Sequence, residues 1–395
     1  MKRYIVKIIN KIKKVCIGVI YKKEINKLIE IINKQGKDTI LFLNVVDWNI
    51  PLFQRPQHIA KCMANEGYNY LFFTGNVYDN VKTYEKKEEG LYIVNAIYWS
   101  HIRKKLNVPN KYIHLYSTDM GTTNQKVDDY IQQGYRVLYE YIDEISSDLY
   151  GSEIPKGAWE KHKRMLKDIH IYVVCTARKL YNEAFAIRSD NKLALITNGV
   201  DYDHFQQDIK ECPVKNIVSK GRPIIGYFGA FASWFDYEMI AHLAESRPDY
   251  EILLIGWKYD DSMEKSKLDI YNNVHIIGPI SYDILPSYAQ WFDVATIPFK
   301  LNNITDSTSP IKLFEYMALN KPIVTTDMPE CRLYQSVMIA KDIQDFVYKV
   351  DQALEVKKDK EYISVINKEA LDNTWKAKAR EIVELLGKER EKNVG

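Results

Sequence analysis

From Gly36 onward, short apolar runs alternate with stretches that repeat apolar residues at helical spacing. Thr39–Val46 (TILFLNVV) predicts a strand and 54–65 a helix, with further strands at 70–74, 112–116, 136–141 and 169–175. A helix from Ala177 and a short apolar run, Ala194–Ile196, close this series. Between Asn198 and Gly221 the chain turns polar and loses sustained periodicity. The alternation restarts at 223–229 (PIIGYFG), a strand entering a glycine turn. A helix from about Phe235 and strands at 251–255, 274–277, 294–297 and 323–325 follow, and a helix spans 374–386. Strands alternating with helices on both sides of a polar break predict an α/β protein of two doubly wound, parallel-sheet domains.

The length of 395 residues suits two domains. The boundaries read as an N-terminal helix at 1–35, domains at 36–204 and 223–370, a linker at 205–222 and a terminal helix at 371–395. Five scattered cysteines, with no C-x-x-C pair and no Cys/His cluster of metal spacing, predict reduced thiols in a cytoplasmic protein. Net charge is +3, but residues 1–35 carry ten Lys/Arg against two Glu, a net of +8, which leaves −5 elsewhere. A nucleic-acid binder would spread basic charge over its folded body, so none is expected as a partner. Ile5, Ile8, Ile12, Val15 and Val19 repeat at helical spacing with lysines between them. Two readings fit: a basic amphipathic helix on an anionic membrane surface, or a helix packed on the chain's own body. Its longest uncharged apolar run, Val15–Tyr21, is too short to span a bilayer.

The stretch 309–330, SPIKLFEYMALNKPIVTTDMPE, carries the chemistry. Ser309 reads as a helix N-cap and Pro310 as the first helical residue, with Asn320 ending the helix. Lys312 and Glu315 then share a face near a helix N-terminus, which attracts anions. A cation there and a carboxylate one turn further in suit a nucleoside diphosphate, the carboxylate accepting from two ribose hydroxyls. An ordinary solvated ion pair is the competing reading. Phe228 and Gly229 end the first strand of the second domain, where a small-residue turn lets backbone approach a phosphate. Asp143, in YEYIDEISS after a strand of the first domain, lies where the ligand crevice of an open α/β sheet forms. His58 and His114 read as structural.

SPIKLFEYMALNKPI resembles the donor-binding helix of GT-B-fold glycosyltransferases of family four and its relatives. Asn198-Gly199-Val200-Asp201 is similar to that family's segment leading into the interdomain linker. Trp48–Ala60 (WNIPLFQRPQHIA) resembles a bacterial subgroup linked to envelope polysaccharides such as teichuronic acid. The resemblance implies two Rossmann-like domains facing across a cleft, with the terminal helix folded back over it. It places Glu315 on the donor's ribose and Ser309, Lys312 and the Gly229 turn at the diphosphate. Arg55, starting the first helix, and Asn198 would face the cleft. Ser307 stands where many members carry a first Glu, so contacts to the donor sugar are expected to differ.

These readings predict a glycosyltransferase that takes a nucleotide-diphosphate sugar as donor and a glycan or lipid-linked molecule as acceptor. Lys312 and the helix N-terminus would stabilise the departing diphosphate, without an obligatory metal or cofactor. Asp143 would serve the acceptor hydroxyl, and domain closure would exclude water. A sugar-nucleotide epimerase of the same fold and an inactive membrane-bound scaffold are the alternatives. The expected location is the cytoplasm, peripheral on the inner face of the plasma membrane.

Overall fold

The computed structural model describes residues 21–43, 46–50, 53–147, 153–207 and 209–387. The stripe Ile5–Val19 therefore lies outside the described residues. The chain divides into two compact units. The first comprises Met1–Cys175, Leu180–Ile196 and Ala379–Gly395, and the second Thr176–Lys179 and Thr197–Lys378.

The first unit is built on eight strands: β1 (Thr39–Phe42), β2 (Asn69–Thr74), β3 (Tyr84–Glu88), β4 (Leu91–Asn95), β5 (Lys111–Tyr116), β6 (Arg136–Tyr141), β7 (Tyr172–Cys175) and β8 (Leu193–Leu195). Their order is β3-β4-β2-β1-β5-β6-β7-β8, parallel except for the β3–β4 pair. Strands β1 and β2 are buried along their whole length, as continuous apolar runs in a parallel sheet should be. β3 and β4 were not legible as strands. β3 reads YEKKE, has no buried position, and exists as the antiparallel edge partner of β4.

Four helices of this unit matter below: α1 (Lys22–Gln35), α2 (Arg55–Asn65), α3 (Lys156–Lys167) and α4 (Arg178–Phe185), the last beginning in the second unit's short segment. For residues 22–35, helix α1 favours the second of the two readings, a helix packed on the chain's own body. Ile25, Leu28, Ile29 and Ile32 are buried. Asn26 lies 2.8 Å from His101, and Asn33 Nδ2 donates to the Lys105 carbonyl at 3.2 Å. For this part of the segment the apolar stripe packs on the body, and lysines Lys22, Lys23 and Lys27 stay exposed.

The second unit holds β9 (Ile224–Phe228), β10 (Glu251–Ile255), β11 (Val274–Ile277), β12 (Val294–Ile297), β13 (Ile323–Thr326) and β14 (Val337–Ala340). All are parallel, in the order β11-β10-β9-β12-β13-β14. The segment expected as a linker is part of this unit. Phe205, Val214 and Ile217 are buried in its core, carried by two helical turns at Tyr202–Phe205 and Lys215–Val218. Three apolar anchors in a polar stretch give no periodicity, which is why the segment read as a connection. Helices α5 (Tyr237–Ser246), α6 (Ile311–Ala318), α7 (Ile343–Val356) and α8 (Lys360–Asp372) complete the unit. The terminal helix α9 (Trp375–Gly387) starts in the second unit and ends in the first.

Candidate active site

In the second unit the strand order reverses at β9, whose neighbours are β10 on one side and β12 on the other. Ligand crevices of open α/β sheets form at the carboxyl ends of such strands. The turn after β9 carries Gly229, and the chain after β12 runs through Phe299 to α6. Gly229 has φ +144, a region that favours glycine. A Cβ on it would lie 2.8 Å from Lys312 Cε and 2.9 Å from the Tyr227 hydroxyl. A Cβ on Gly256, after β10, would meet the Gly229 carbonyl at 1.7 Å. The glycines thus let two strand ends and the Lys312 side chain converge.

Lys312 is on the first turn of α6. Its ammonium stands 4.9 Å from the Phe299 ring centroid and 5.5 Å from that of Tyr227, in cation–π range. It makes no hydrogen bond or ion pair among the described residues, and the backbone N–H groups of Ile311 and Lys312 have no acceptor there either. Glu315, one turn further, is buried and likewise unpaired. Burial pushes the Glu315 carboxyl up to about 7 against the opposing pull of Lys312. Burial pushes Lys312 down to about 8, again against its partner's charge. The solvated ion pair weighed from the sequence is therefore not what forms. Two desolvated, opposite charges stand on one helix face beside free N–H groups.

Other expected residues take different places. The N-cap of α6 is Pro310, in an extended conformation, and Ser309 precedes it, which corrects the expectation that Ser309 caps the helix. Asn198 Nδ2 donates to the Ser309 carbonyl at 2.6 Å, so Asn198 positions the helix entry. Gly199 and Val200 hold the start of α9: Val200 N–H donates to the Asn373 carbonyl, and Trp375 N–H to that of Val200, both at 3.0 Å. A Cβ at Gly199 would lie 2.7 Å from the Asn373 carbonyl, which explains the glycine in N-G-V-D. Phe228 is a core residue, packed edge-on against Tyr316 at 4.7 Å, and its N–H donates to the Tyr316 hydroxyl at 3.0 Å. The Gly229 N–H is bonded to the Ile255 carbonyl, so it supports the turn and does not face a ligand. Ser307 is buried, its hydroxyl bonded to the Asn303 carbonyl.

Sequence reasoning missed the aromatic surroundings of these charges. Tyr282 is held far above its ordinary pKa by burial and by the charges of Glu315 and Asp201, and its ring stacks on His204 at 4.3 Å. Tyr316 had a signal, since it follows Glu315 in the motif; Tyr282 and Phe299 had none.

In the first unit Arg55 is buried at the start of α2, with its Nε 2.5 Å from Glu140 on β6. His114 Nε2 lies 3.1 Å from the other Glu140 oxygen, and the Tyr70 hydroxyl 2.8 Å from His114 Nδ1. Burial would raise Glu140, but Arg55 and the His114 hydrogen bond hold it at about 2. Arg55 is thus one half of an interior ion pair, a correction to its expected place facing a ligand. A helix-start arginine and a strand glutamate 85 residues apart carry no local signal of pairing. Asp143 is half-buried beyond the end of β6. Its carboxylate bonds to no described group, and burial pushes it up to about 7.

Residues 222–356 match the family model described as "Glycosyl transferases group 1". The chain is 26% identical over 204 residues to the "Putative teichuronic acid biosynthesis glycosyltransferase TuaH" of Bacillus subtilis (strain 168). That match covers 50% of this chain and about half, 51%, of that relative's length. Among solved structures, a sucrose-phosphate synthase from Thermosynechococcus elongatus superposes with a TM-score of 0.64 at 14% identity, over 89% of this chain and 98% of that one. HepE from Anabaena, in complex with UDP and glucose, gives 0.63 at 11% identity, over 89% and 100%. The fold is that of the GT-B glycosyltransferases, two Rossmann-like units. Within the second unit, residues 222–356 are similar to group 1 glycosyl transferases, and the chain resembles glycosyltransferases in its sequence match and in its fold. Among the described residues no helix is long and apolar enough to cross a membrane, and no cluster of His, Cys, Asp or Glu is placed to hold a metal.

Proposed function

We propose that the protein transfers a sugar from a nucleotide-diphosphate donor to a glycan or lipid-linked acceptor in envelope polysaccharide synthesis. The carrying observation is the unpaired Lys312 and Glu315 on the first turns of α6, beside the Gly229 turn. A diphosphate gives Lys312 and the free N–H groups their missing partner, and ribose hydroxyls give Glu315 donors. Two comparisons support the reading: the name of TuaH, and UDP with glucose in HepE.

In the reaction the bond between the sugar's anomeric carbon and the diphosphate oxygen breaks. A bond to the acceptor oxygen forms, the acceptor hydroxyl loses its proton, and the nucleoside diphosphate leaves. Negative charge on the leaving oxygen grows as its bond breaks, so a protonated Lys312 stabilises the transition state more than the bound donor. We assign no obligatory metal to this step. Asp143 is the group we place at the acceptor hydroxyl, where a carboxyl that titrates near neutrality can accept a proton. A peripheral position on an anionic membrane would rest on the exposed lysines of α1 and on residues 1–20, since the apolar face of α1 is already buried.

The test is incubation with a panel of sugar nucleotides and detection of released nucleoside diphosphate. One donor should turn over, and Lys312→Ala should lower kcat more than it raises KM. No turnover of any donor, or a pure KM effect, would contradict the assignment.

A further inference from the structure

The first unit has a pocket of about 260 Å³ between the end of β6, α3 and α4. Trp159, on α3, presents an accessible ring to it, backed by the buried rings of His162, also on α3, and Tyr141, at the end of β6. Trp159 is 39% exposed, an unusual state for a tryptophan on a helix packed against a sheet. Its ring centroid lies 6.2 Å from that of His162, which is 4.6 Å from that of Tyr141. Burial, with Lys161 adding to it, pushes His162 down to about 4, so its ring is uncharged at neutral pH. The Tyr141 hydroxyl donates at 2.9 Å to Glu183 on α4. Glu144, the exposed lysines Lys163 and Lys167, and the aliphatic Ile145, Leu166 and Ile187 complete the lining.

The geometry points to this pocket as a binding site for a saccharide ring, the unit of the acceptor that adjoins the one being extended. A pyranose has an apolar C–H face and a rim of hydroxyls, each both donor and acceptor. The Trp159 ring matches the first, and the Glu144 and Glu183 carboxylates beside the Lys163 and Lys167 ammonium groups match the second. The lining charges are balanced in sign, which suits an uncharged polyhydroxylated ligand better than a phosphate or a peptide of one charge. Glu144, in the lining, directly follows Asp143 in the chain, the group proposed for the acceptor hydroxyl. This placement rests on the transferase reading, whereas the presence of a saccharide site does not.

The experiment is saturation-transfer NMR on the intact protein with glucose, galactose, N-acetylglucosamine and glucuronate in turn, beside calorimetric titration of UDP, GDP and ADP. At least one sugar should receive saturation on its ring protons. Trp159→Ala should abolish that signal, Trp159→Phe should keep it, and Glu183→Gln should reduce it, all with nucleotide affinity unchanged. No signal from any of the four sugars, or a signal that survives Trp159→Ala, overturns the inference. Nucleotide binding without a Trp159-dependent sugar signal removes this site and leaves the transferase reading standing. A Trp159-dependent signal without nucleotide binding keeps the site and removes that reading.

Discussion

Lys312 and Glu315 are opposite charges three residues apart that nevertheless form no ion pair. Each is charged at a cost in desolvation that a ligand would relieve. The carboxyl is raised from 4.5 to about 7, so between those values the folded state binds more protons than the unfolded one. Stability then falls as pH rises through that window. Glu315→Gln should stabilise the ligand-free protein by up to about 3 kcal/mol at pH 8 and by almost nothing at pH 4, as read by denaturant unfolding. Lys312 is lowered from 10.5 to about 8, so its charge is lost above about 8 in the free protein. Affinity for a sugar nucleotide should therefore peak between about 7 and 8, since binding needs Glu315 ionised and Lys312 protonated. Lys312→Ala should remove the alkaline limb and Glu315→Gln the acid limb. A pH profile unchanged in both variants would refute their roles. Arg55 shows the other use of buried charge. Arg55→Ala should cost about 3–5 kcal/mol by stranding Glu140 in the interior, and Arg55→Met with Glu140→Leu should recover much of it. If the single variant unfolds at the wild-type denaturant midpoint, the pair contributes little.

Helices were more legible than the roles of their ends. Tyr172–Cys175, Arg136–Tyr141 and Glu251–Ile255 were visible as mostly apolar runs because a strand covered on both faces is predominantly apolar, even where it holds a buried charge such as Glu140. β3 was invisible because an edge strand needs only one neighbour's hydrogen bonds and can be polar. The start of α6 was misplaced by one residue because Ser-Pro satisfies the cap pattern locally, while the Ser309 carbonyl is held by Asn198 from 111 residues away. Helix α1 was ambiguous because an apolar stripe serves a bilayer and a protein surface equally. Four buried aliphatic side chains on α1 amount to about 1.5–3 kcal/mol each. Removing residues 1–35 should lower the melting temperature steeply or prevent folding. A truncated protein that melts with the intact chain would contradict the packing of α1. Removing residues 1–20 tests the membrane contact. The shortened chain should lose cosedimentation with anionic vesicles, and retention by the intact chain should weaken as salt rises.

At the scale of the molecule, two sheets wound in parallel present strand ends, and the second presents Gly229 and α6 at its reversal beside β9. The sequence carried this much because α6 concentrates its chemistry within a few residues of one helix start. It did not carry the pocket beside Trp159, or the burial of Glu140, because those join residues from distant elements. The central claim is that α6 binds a nucleoside diphosphate through Lys312 and Glu315. The most direct measurement is calorimetric titration of nucleoside diphosphates, one for each common base, into the wild type and into Glu315→Ala. At least one should bind the wild type, and the variant, folded by circular dichroism, should bind it more weakly by about 1.5–3 kcal/mol, a loss of more than tenfold. Binding of none, or the same affinity in the folded variant, would contradict the account.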